Sequence, residues 1–395
     1  MRLAVVSKFS PSVEGITEYA RHVVRGLSAR PETDQITVIA NRTAADPASR
    51  RSDVEVRRVW SAGEVSLVMR ILREVGRLKP DAVWYNVGLS MFGETIFSPS
   101  GFALPLITHR LGIRSIVTLH ERRLDQLAEL GVPDGLVRRA VLRASVRLLL
   151  LSDVVCVTTD QHRRELEQHR SPGHAQIVHL PLCGYDSPVL EPAGDPTTIL
   201  MLTSHAPHKN LPTLIVAFRQ LRRRLPAARL LVAGVDHPRF VGYLQSVKER
   251  YGAEPGIEWI GPVPEDSLRP LLRRATVVVV PYRVATGSSA TVHQAASAGR
   301  PVIVSNLPEF RSMAEEEDLW LEFCRRGDPE HLTDALEALL TDPARRGAIA
   351  RHNLESARKN SLAATTDRYV GLLQGPTASR SRTTVSGWPS GALSR

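Results

Sequence analysis

The chain has 395 residues, of which 43% are hydrophobic, 23% charged and only 5% aromatic. That length corresponds to two or three domains, each able to bury its own core, and the composition excludes a disordered, collagenous or coiled-coil chain. The 51 basic and 41 acidic residues leave a formal charge of +10, which favours anionic partners without choosing among phosphates, nucleic acid and anionic lipid.

Short β-branched runs alternate with longer helical patterns through the first half. Residues 3–6, 36–40, 82–84, 115–119, 154–158 and 176–180 are predicted strands, and 16–29, 65–79, 135–151 and 160–169 are predicted helices. The stretch 186–198, DSPVLEPAGDPTT, is rich in proline and is a predicted linker. The pattern then restarts. Strands are predicted at 199–203, 229–233, 257–260, 277–280 and 302–304, separated by helices such as 211–224 and 291–298. Further helices are expected at 328–340 and 343–373, and the tail from 374 to 395 lacks apolar periodicity and is expected to be disordered. Repeated strand–helix units mean a parallel sheet with helices on both faces. The expected fold class is therefore α/β, with two doubly wound, Rossmann-like domains in tandem. Ligands of such sheets bind beyond the carboxyl ends of the strands, and two facing domains make a cleft.

Cys156, Cys183 and Cys324 are an odd number and far apart, and no C-x-x-C occurs, so neither a disulfide framework nor a zinc ribbon is expected. The opening MRLAVV run meets Lys8 too early for a signal-peptide core. The apolar run 148–157 is interrupted by Ser152 and Asp153. A reduced, cytoplasmic protein, soluble or peripheral on the inner face of the plasma membrane, is the expectation.

Four segments carry candidate chemistry. The loop 7–15, SKFSPSVEG, joins the first strand to the first helix. Gly15 there either lets backbone approach an anion or simply makes the connection. His120, in TLHE at 118–121, sits at a strand's carboxyl end, either as a ligand for a sugar hydroxyl or phosphate or as a satisfied polar residue. The third, TSHAPHKN at 203–210, follows the first strand of the second half. Its Lys209, in a chain with only five lysines, suits a diphosphate as a compact point charge. His205 and His208 flank it, with no third metal ligand apparent. The fourth, VVVVPYRVATGSSATVHQAASAGRPVIVS at 277–305, is a buried strand, a Gly-Ser-Ser turn and a small-residue helix. Ser288 or Ser289 is placed to cap that helix, and its hydroxyls with the free amides make an anion cradle. Walker A, G-x-G-x-x-G, G-x-S-x-G and H-E-x-x-H motifs are all missing.

These segments, in this order, resemble the GT-B glycosyltransferases of family 4, the group 1 glycosyltransferases, over roughly residues 1–370. The matching pieces are Lys209–Asn210 followed by 214–218, the strand ending at Gly234, the 261–263 turn and the A-x-G-x-P-V-I at 298–303. In the amino half they are GITEYARHVVRGLSA and His120. The resemblance implies a hexosyltransferase-type enzyme moving a sugar from a nucleotide-diphosphate-sugar donor to a hydroxyl of a polysaccharide, glycolipid or natural product. It further implies retention of configuration and no metal or other cofactor. Residues 1–185 would bind the acceptor, a sugar, lipid-linked or small molecule, near Gly15 and His120. After the linker, residues 199–360 would bind the donor through Thr203, His205, His208, Lys209, Thr286, Gly287, Ser288, Ser289 and Gln294. Residues 361–373 would form a helix returning to the first domain, and His120 and Lys209 would act in catalysis.

The chain departs from the family pattern at three donor-site positions and in the first loop, where Glu14–Gly15 stands in place of two glycines. The usual pair of glutamates falls on Thr286 and Gln294, and the usual arginine on Thr203. A non-catalytic protein that binds a sugar nucleotide is the alternative these departures raise. Nucleic acid is not an expected partner, because no basic stripe is interleaved with stacking aromatics. Along 135–151, Val137, Val141, Ala144 and Leu148 share one side and Arg138, Arg139, Arg143 and Arg147 the other. That helix is either a core helix with a solvated basic face or a docking site for anionic membrane.

Overall fold

The computed structural model describes residues 1–9, 15–43, 54–93, 98–121, 135–168, 173–184, 187–192 and 194–375. Strands β1 (Arg2–Ser7), β2 (Gln35–Asn41), β3 (Glu55–Trp60), β4 (Ala82–Val87), β5 (Arg114–Leu119), β6 (Val154–Val157) and β7 (Gln176–His179) form one parallel sheet. Its order is β3-β2-β1-β4-β5-β6-β7. Helices α1 (Gly15–Ser28), α2 (Leu67–Leu78), α3 (Leu104–Arg110), α4 (Leu136–Leu149) and α5 (Asp160–Gln168) connect these strands.

The second sheet contains β8 (Thr198–Leu202), β9 (Arg229–Ala233), β10 (Ile257–Ile260), β11 (Val277–Val280), β12 (Val302–Ser305) and β13 (Glu322–Cys324), in the order β10-β9-β8-β11-β12-β13, again parallel. Helices α6 (Leu211–Arg224), α7 (Tyr243–Tyr251), α8 (Glu265–Arg274), α9 (Ala290–Ser297) and α10 (Pro308–Glu316) connect its strands. The chain continues through α11 (Pro329–Thr341), α12 (Pro343–Lys359) and α13 (Leu362–Gln374). Two doubly wound domains result, as the strand–helix alternation predicts.

Both faces of each sheet are covered, so the central strands are mostly apolar and β4 and β5 are buried at every position, their few polar residues included. Consecutive residues of β4 serve opposite cores. Tyr85 packs with Trp60 and Phe92 on one side, while Trp84 packs with Tyr19 and Tyr369 on the other. Tyr369 belongs to α13, which packs on the first sheet. Its hydroxyl lies 3.0 Å from that of Tyr19 and 2.6 Å from Thr118 Oγ1, which also accepts from Trp84 Nε1 at 2.9 Å.

Three expectations need correction. The predicted helix 343–373 is two helices, broken at Asn360–Ser361, where Ser361 Oγ accepts from the Ala364 amide at 3.3 Å. β3 was not predicted, because an edge strand reading EVRRVW carries arginines where a central strand carries valines. The third correction concerns α4. Its buried residues are Ser145 and Leu149, whereas Leu136 and Val137 are 86% and 79% exposed and Val141 and Ala144 face solvent. Val137, Val141 and Ala144 thus point outward, against the core-helix alternative for this segment. The tail from 376, most of the loop 7–15 including Glu14, positions 186 and 193 of the linker, and His169 lie outside the described residues.

Candidate active site

In each sheet the winding direction reverses beside the first strand, between β1 and β4 and between β8 and β11. The carboxyl ends of β8 and β11 open onto a cleft of about 790 Å³ between the domains, which α1 borders on the other side. Its first-domain wall comes from the start of α1, with Gly15, Glu18, Arg21 and His22. Its second-domain wall comes from the segments after β8 and β11, with Thr203, Ser204, His208, Lys209, residues 286–289 and Gln294.

The segment after β8 is shaped by its turn. Pro207–Lys209 forms one 3-10 turn, and Asn210 then adopts a left-handed conformation at φ 61°, which Asn tolerates better than most residues. The Asn210 side chain donates to the Pro281 carbonyl at 3.1 Å and accepts from Thr213 Oγ1 at 2.8 Å, tying the turn to the end of β11. Lys209 Nζ is thereby held 3.8 Å from the ring centroid of Tyr282, whose hydroxyl is 2.9 Å from Thr203 Oγ1. Lys209, Tyr282 and Thr203 thus form one continuous wall.

The two histidines of this segment diverge. His208 lines the cleft, and burial together with the adjacent Lys209 cation lowers its pKa to about 3, so it is neutral. His205 is fully buried, with Nε2 3.0 Å from the Ala233 carbonyl, and burial lowers it to about 4. It is not among the cleft-lining residues, so its place as a donor ligand is corrected to one that fastens the loop to β9. Among the described residues no three His, Cys, Asp or Glu side chains gather as a metal site.

The segment after β11 leads into α9. Ser289 is its N-cap by backbone position, but no side chain caps the helix, and Ser288 Oγ instead approaches Met313 Sδ at 3.5 Å. The amides of the first turn therefore have no side-chain acceptor, and this end of α9 borders the cleft. Gly287 packs against the first domain. A Cβ there would stand 2.7 Å from the His120 carbonyl oxygen.

His120 follows β5 and is not among the residues lining the cleft. Its protonation follows from its neighbours. Asn86 Nδ2 donates to Ser7 Oγ at 3.1 Å and to the Ile16 carbonyl at 3.0 Å, which fixes Asn86 Oδ1 as an acceptor. Since Oδ1 lies 2.6 Å from His120 Nε2, that nitrogen carries the proton and Nδ1 is the ring's acceptor. Burial lowers the His120 pKa to about 4, so the ring is neutral.

A cross-cleft ion cluster is absent from the sequence reading. Glu265, at the start of α8, pairs with Arg21 and lies 3.2 Å from Arg25, while Arg21 also holds Glu18 at 2.5 Å. His22 Nδ1 is 3.3 Å from the same Glu265 carboxylate, and its Nε2 accepts from Arg21 at 3.2 Å. Burial and the flanking guanidiniums keep His22 neutral despite that carboxylate. On the far side, the Glu316 carboxylate accepts the amides of Asp160 and Gln161 at 2.6 and 3.0 Å, so α10 caps α5 across the domain boundary. No local motif marks these pairs, because their partners lie about 150 to 250 positions apart.

Two family models match, and between them they take in most of the chain. One, described as a glycosyl transferase 4-like domain, covers residues 14–183, and the other, glycosyl transferases group 1, covers 196–342. The chain belongs to the group 1 glycosyltransferases. This glycosyltransferase matches no curated protein by sequence. Solved structures do match its fold. The Anabaena protein HepE in complex with UDP-glucose is 14% identical with a TM-score of 0.68, covering 94% of this chain and 98% of that one. Sucrose-phosphate synthase from Thermosynechococcus elongatus is 16% identical at 0.72, again over 94% and 98%. The UDP-forming α,α-trehalose-phosphate synthase from Burkholderia xenovorans is 15% identical at 0.69, over 95% and 100%.

Proposed function

We propose that this glycosyltransferase moves a sugar from a nucleoside-diphosphate donor to an acceptor hydroxyl, with retention and without a metal. The observation that supports this most is the shared cleft wall of Lys209 and the uncapped start of α9. A cation and free amides at one place suit charge that develops on a departing diphosphate. HepE has been solved with UDP and with UDP-glucose, which makes a UDP-sugar the first donor to try.

In the reaction a bond forms between the acceptor oxygen and the anomeric carbon as the bond from that carbon to the diphosphate breaks. The acceptor proton leaves with the diphosphate. Lys209 and the amides at 287–290 take up the negative charge. Thr203, Thr286, Ser288, Ser289 and Gln294 offer neutral hydrogen bonds to sugar, ribose or phosphate oxygens, and neutral His208 completes that wall. On the first domain Gly15 leaves room for the acceptor, and His120, set back from the cleft lining, would meet a hydroxyl only through its unprotonated Nδ1. Closure of the domains excludes water.

The acceptor is lipid-linked in this proposal, and the enzyme is a cytoplasmic protein that works at an anionic membrane. Exposed Leu136, Val137 and Val141 beside Arg143 and Arg147 on α4 match an interfacial helix, and no helix among the described residues is long and apolar enough to cross a membrane.

Thermal unfolding with UDP, GDP, dTDP and ADP tests the donor site. At a hundredfold excess over Kd the ligand contributes about 2.7 kcal/mol, which Lys209→Ala should remove. Stabilisation by none of the four would sink the proposal. Liposomes test the membrane: co-sedimentation should need anionic lipid and be lost in L136D/V137D, and equal recovery on neutral vesicles would count against it.

A further inference from the structure

Under the first turn of α9 lies a buried pair that borders the cleft without lining it. His293 and Glu317 are each 5% exposed. His293 Nε2 is 2.7 Å from Glu317 Oε2, and Nδ1 is 2.7 Å from the Ser289 carbonyl oxygen. A carbonyl oxygen can only accept, so Nδ1 carries a proton, and an ionised Glu317 requires one on Nε2 as well. Burial opposes this charge, but the Glu317 carboxylate and the Ser289 carbonyl outweigh it, and the net shift of the His293 pKa is upward.

The same Ser289 carbonyl accepts the Val292 amide at 3.1 Å and the His293 amide at 3.3 Å. Three donors from one side hold its direction. In a planar trans peptide the N–H of the next residue points opposite to the carbonyl. The Ala290 N–H is therefore turned away from the helix body, and Ala290 lines the cleft. No side chain competes for it as a cap.

We propose that His293 is a positioning residue for the donor diphosphate, and that Glu317 orients it. Its Nδ1–H pins the Ser289–Ala290 peptide so that the first free amide of α9 faces the phosphate before the donor arrives. Pre-set donors need no reorganisation as charge develops. The inference rests on the donor-site reading above and adds a residue that touches neither donor nor acceptor.

The test is calorimetric titration of whole protein with UDP, GDP, dTDP and ADP, alongside urea unfolding. The variants are H293Q, which keeps an N–H donor, H293F/E317Q, which removes the donor without stranding a buried carboxylate, and K209A. The double variant should bind the nucleotide chosen by wild type about tenfold or more weakly, and H293Q should recover to within about threefold. A purely structural role would lower the urea midpoint while leaving Kd of the folded protein unchanged. If wild type binds and K209A weakens binding, but the folded double variant binds as tightly as wild type, the role of His293 is refuted while the donor site stands. If wild type binds none of the four, the donor site and this inference fall together.

Discussion

Gly287→Ala perturbs one contact between the domains. Gly287 has a φ outside the left-handed region, so alanine adds no backbone strain, and the new Cβ would meet Thr158 Oγ1 at an ordinary 3.5 Å. Its one serious collision is with the His120 carbonyl oxygen, at 2.7 Å. Both partners in that collision are attached to backbone, so no rotamer change relieves it. The domains must separate by roughly half an ångström or more to restore normal contact. Forced packing of this kind costs about 1–3 kcal/mol. In the proposed reaction both walls meet the substrates, so that cost should appear as about a 5- to 150-fold loss in turnover. Donor affinity should change much less, since alanine keeps the 287 amide and Lys209 and α9 stay on one domain. Release of nucleoside diphosphate from a saturating sugar donor gives kcat, and titration with the nucleoside diphosphate gives Kd. Wild-type kcat in a folded Gly287→Ala protein would show that the contact plays no part in turnover.

Glu265→Gln removes the carboxylate shared by Arg21 and Arg25. The group is partly solvated, so the expected loss is under about 1 kcal/mol in urea unfolding at pH 7. Burial raises the Glu265 pKa, but hydrogen bonding to Arg21 and the charges around it outweigh burial and hold it below the ordinary value. Stability from a depressed carboxyl is complete above its unfolded pKa and is lost as pH falls through the folded one. The gap between wild type and E265Q should therefore shrink on acidification below about pH 4, and a widening gap would contradict the assignment. Tyr369→Phe removes the hydroxyl joining Tyr19 to Thr118 and should cost about 1–3 kcal/mol by urea unfolding. An unchanged midpoint would mean that α13 contributes little through that network.

The central strands were legible because burial on both faces forces unbroken β-branched runs such as Val277–Val280. The segments that open the cleft were legible for a related reason, since each follows such a strand and carries Gly, Pro or hydroxyl residues in place of apolar ones. Partners outside the local segment were not legible. His205 and His208 are three positions apart with similar local chemistry, yet a β-bridge between His205 and Asp236 buries one while the other faces the cleft. On α4 the apolar period was real, but a period shows that a helix has two faces and does not say which one meets the core. Glu265 and Arg21 could be paired only once both sheets were placed, and nothing local singles out His293.

The three donor-site departures from the family pattern gain a common explanation when their charges are taken together. In the family pattern that the sequence resembles, the arginine, lysine and two glutamates sum to zero. Here Thr203, Lys209, Thr286 and Gln294 sum to +1, with one cation and no anion among them. In the proposed donor site, losing an arginine would thus be offset by losing two carboxylates, which would leave the field at the leaving group no weaker. Restoring only the glutamates, as Thr286→Glu with Gln294→Glu, should therefore harm binding. A like charge at 4 Å costs about 1 kcal/mol in water and about 4 kcal/mol near a protein surface, so the pair should weaken nucleoside diphosphate binding fivefold or more. Adding Thr203→Arg to that variant should recover part of the loss, and recovery should diminish at high salt. Calorimetric Kd values for the double and triple variants decide the matter. A tighter double variant would mean that the glutamates act through ribose and sugar hydroxyls strongly enough to override their charge, and that the three positions do not compensate one another.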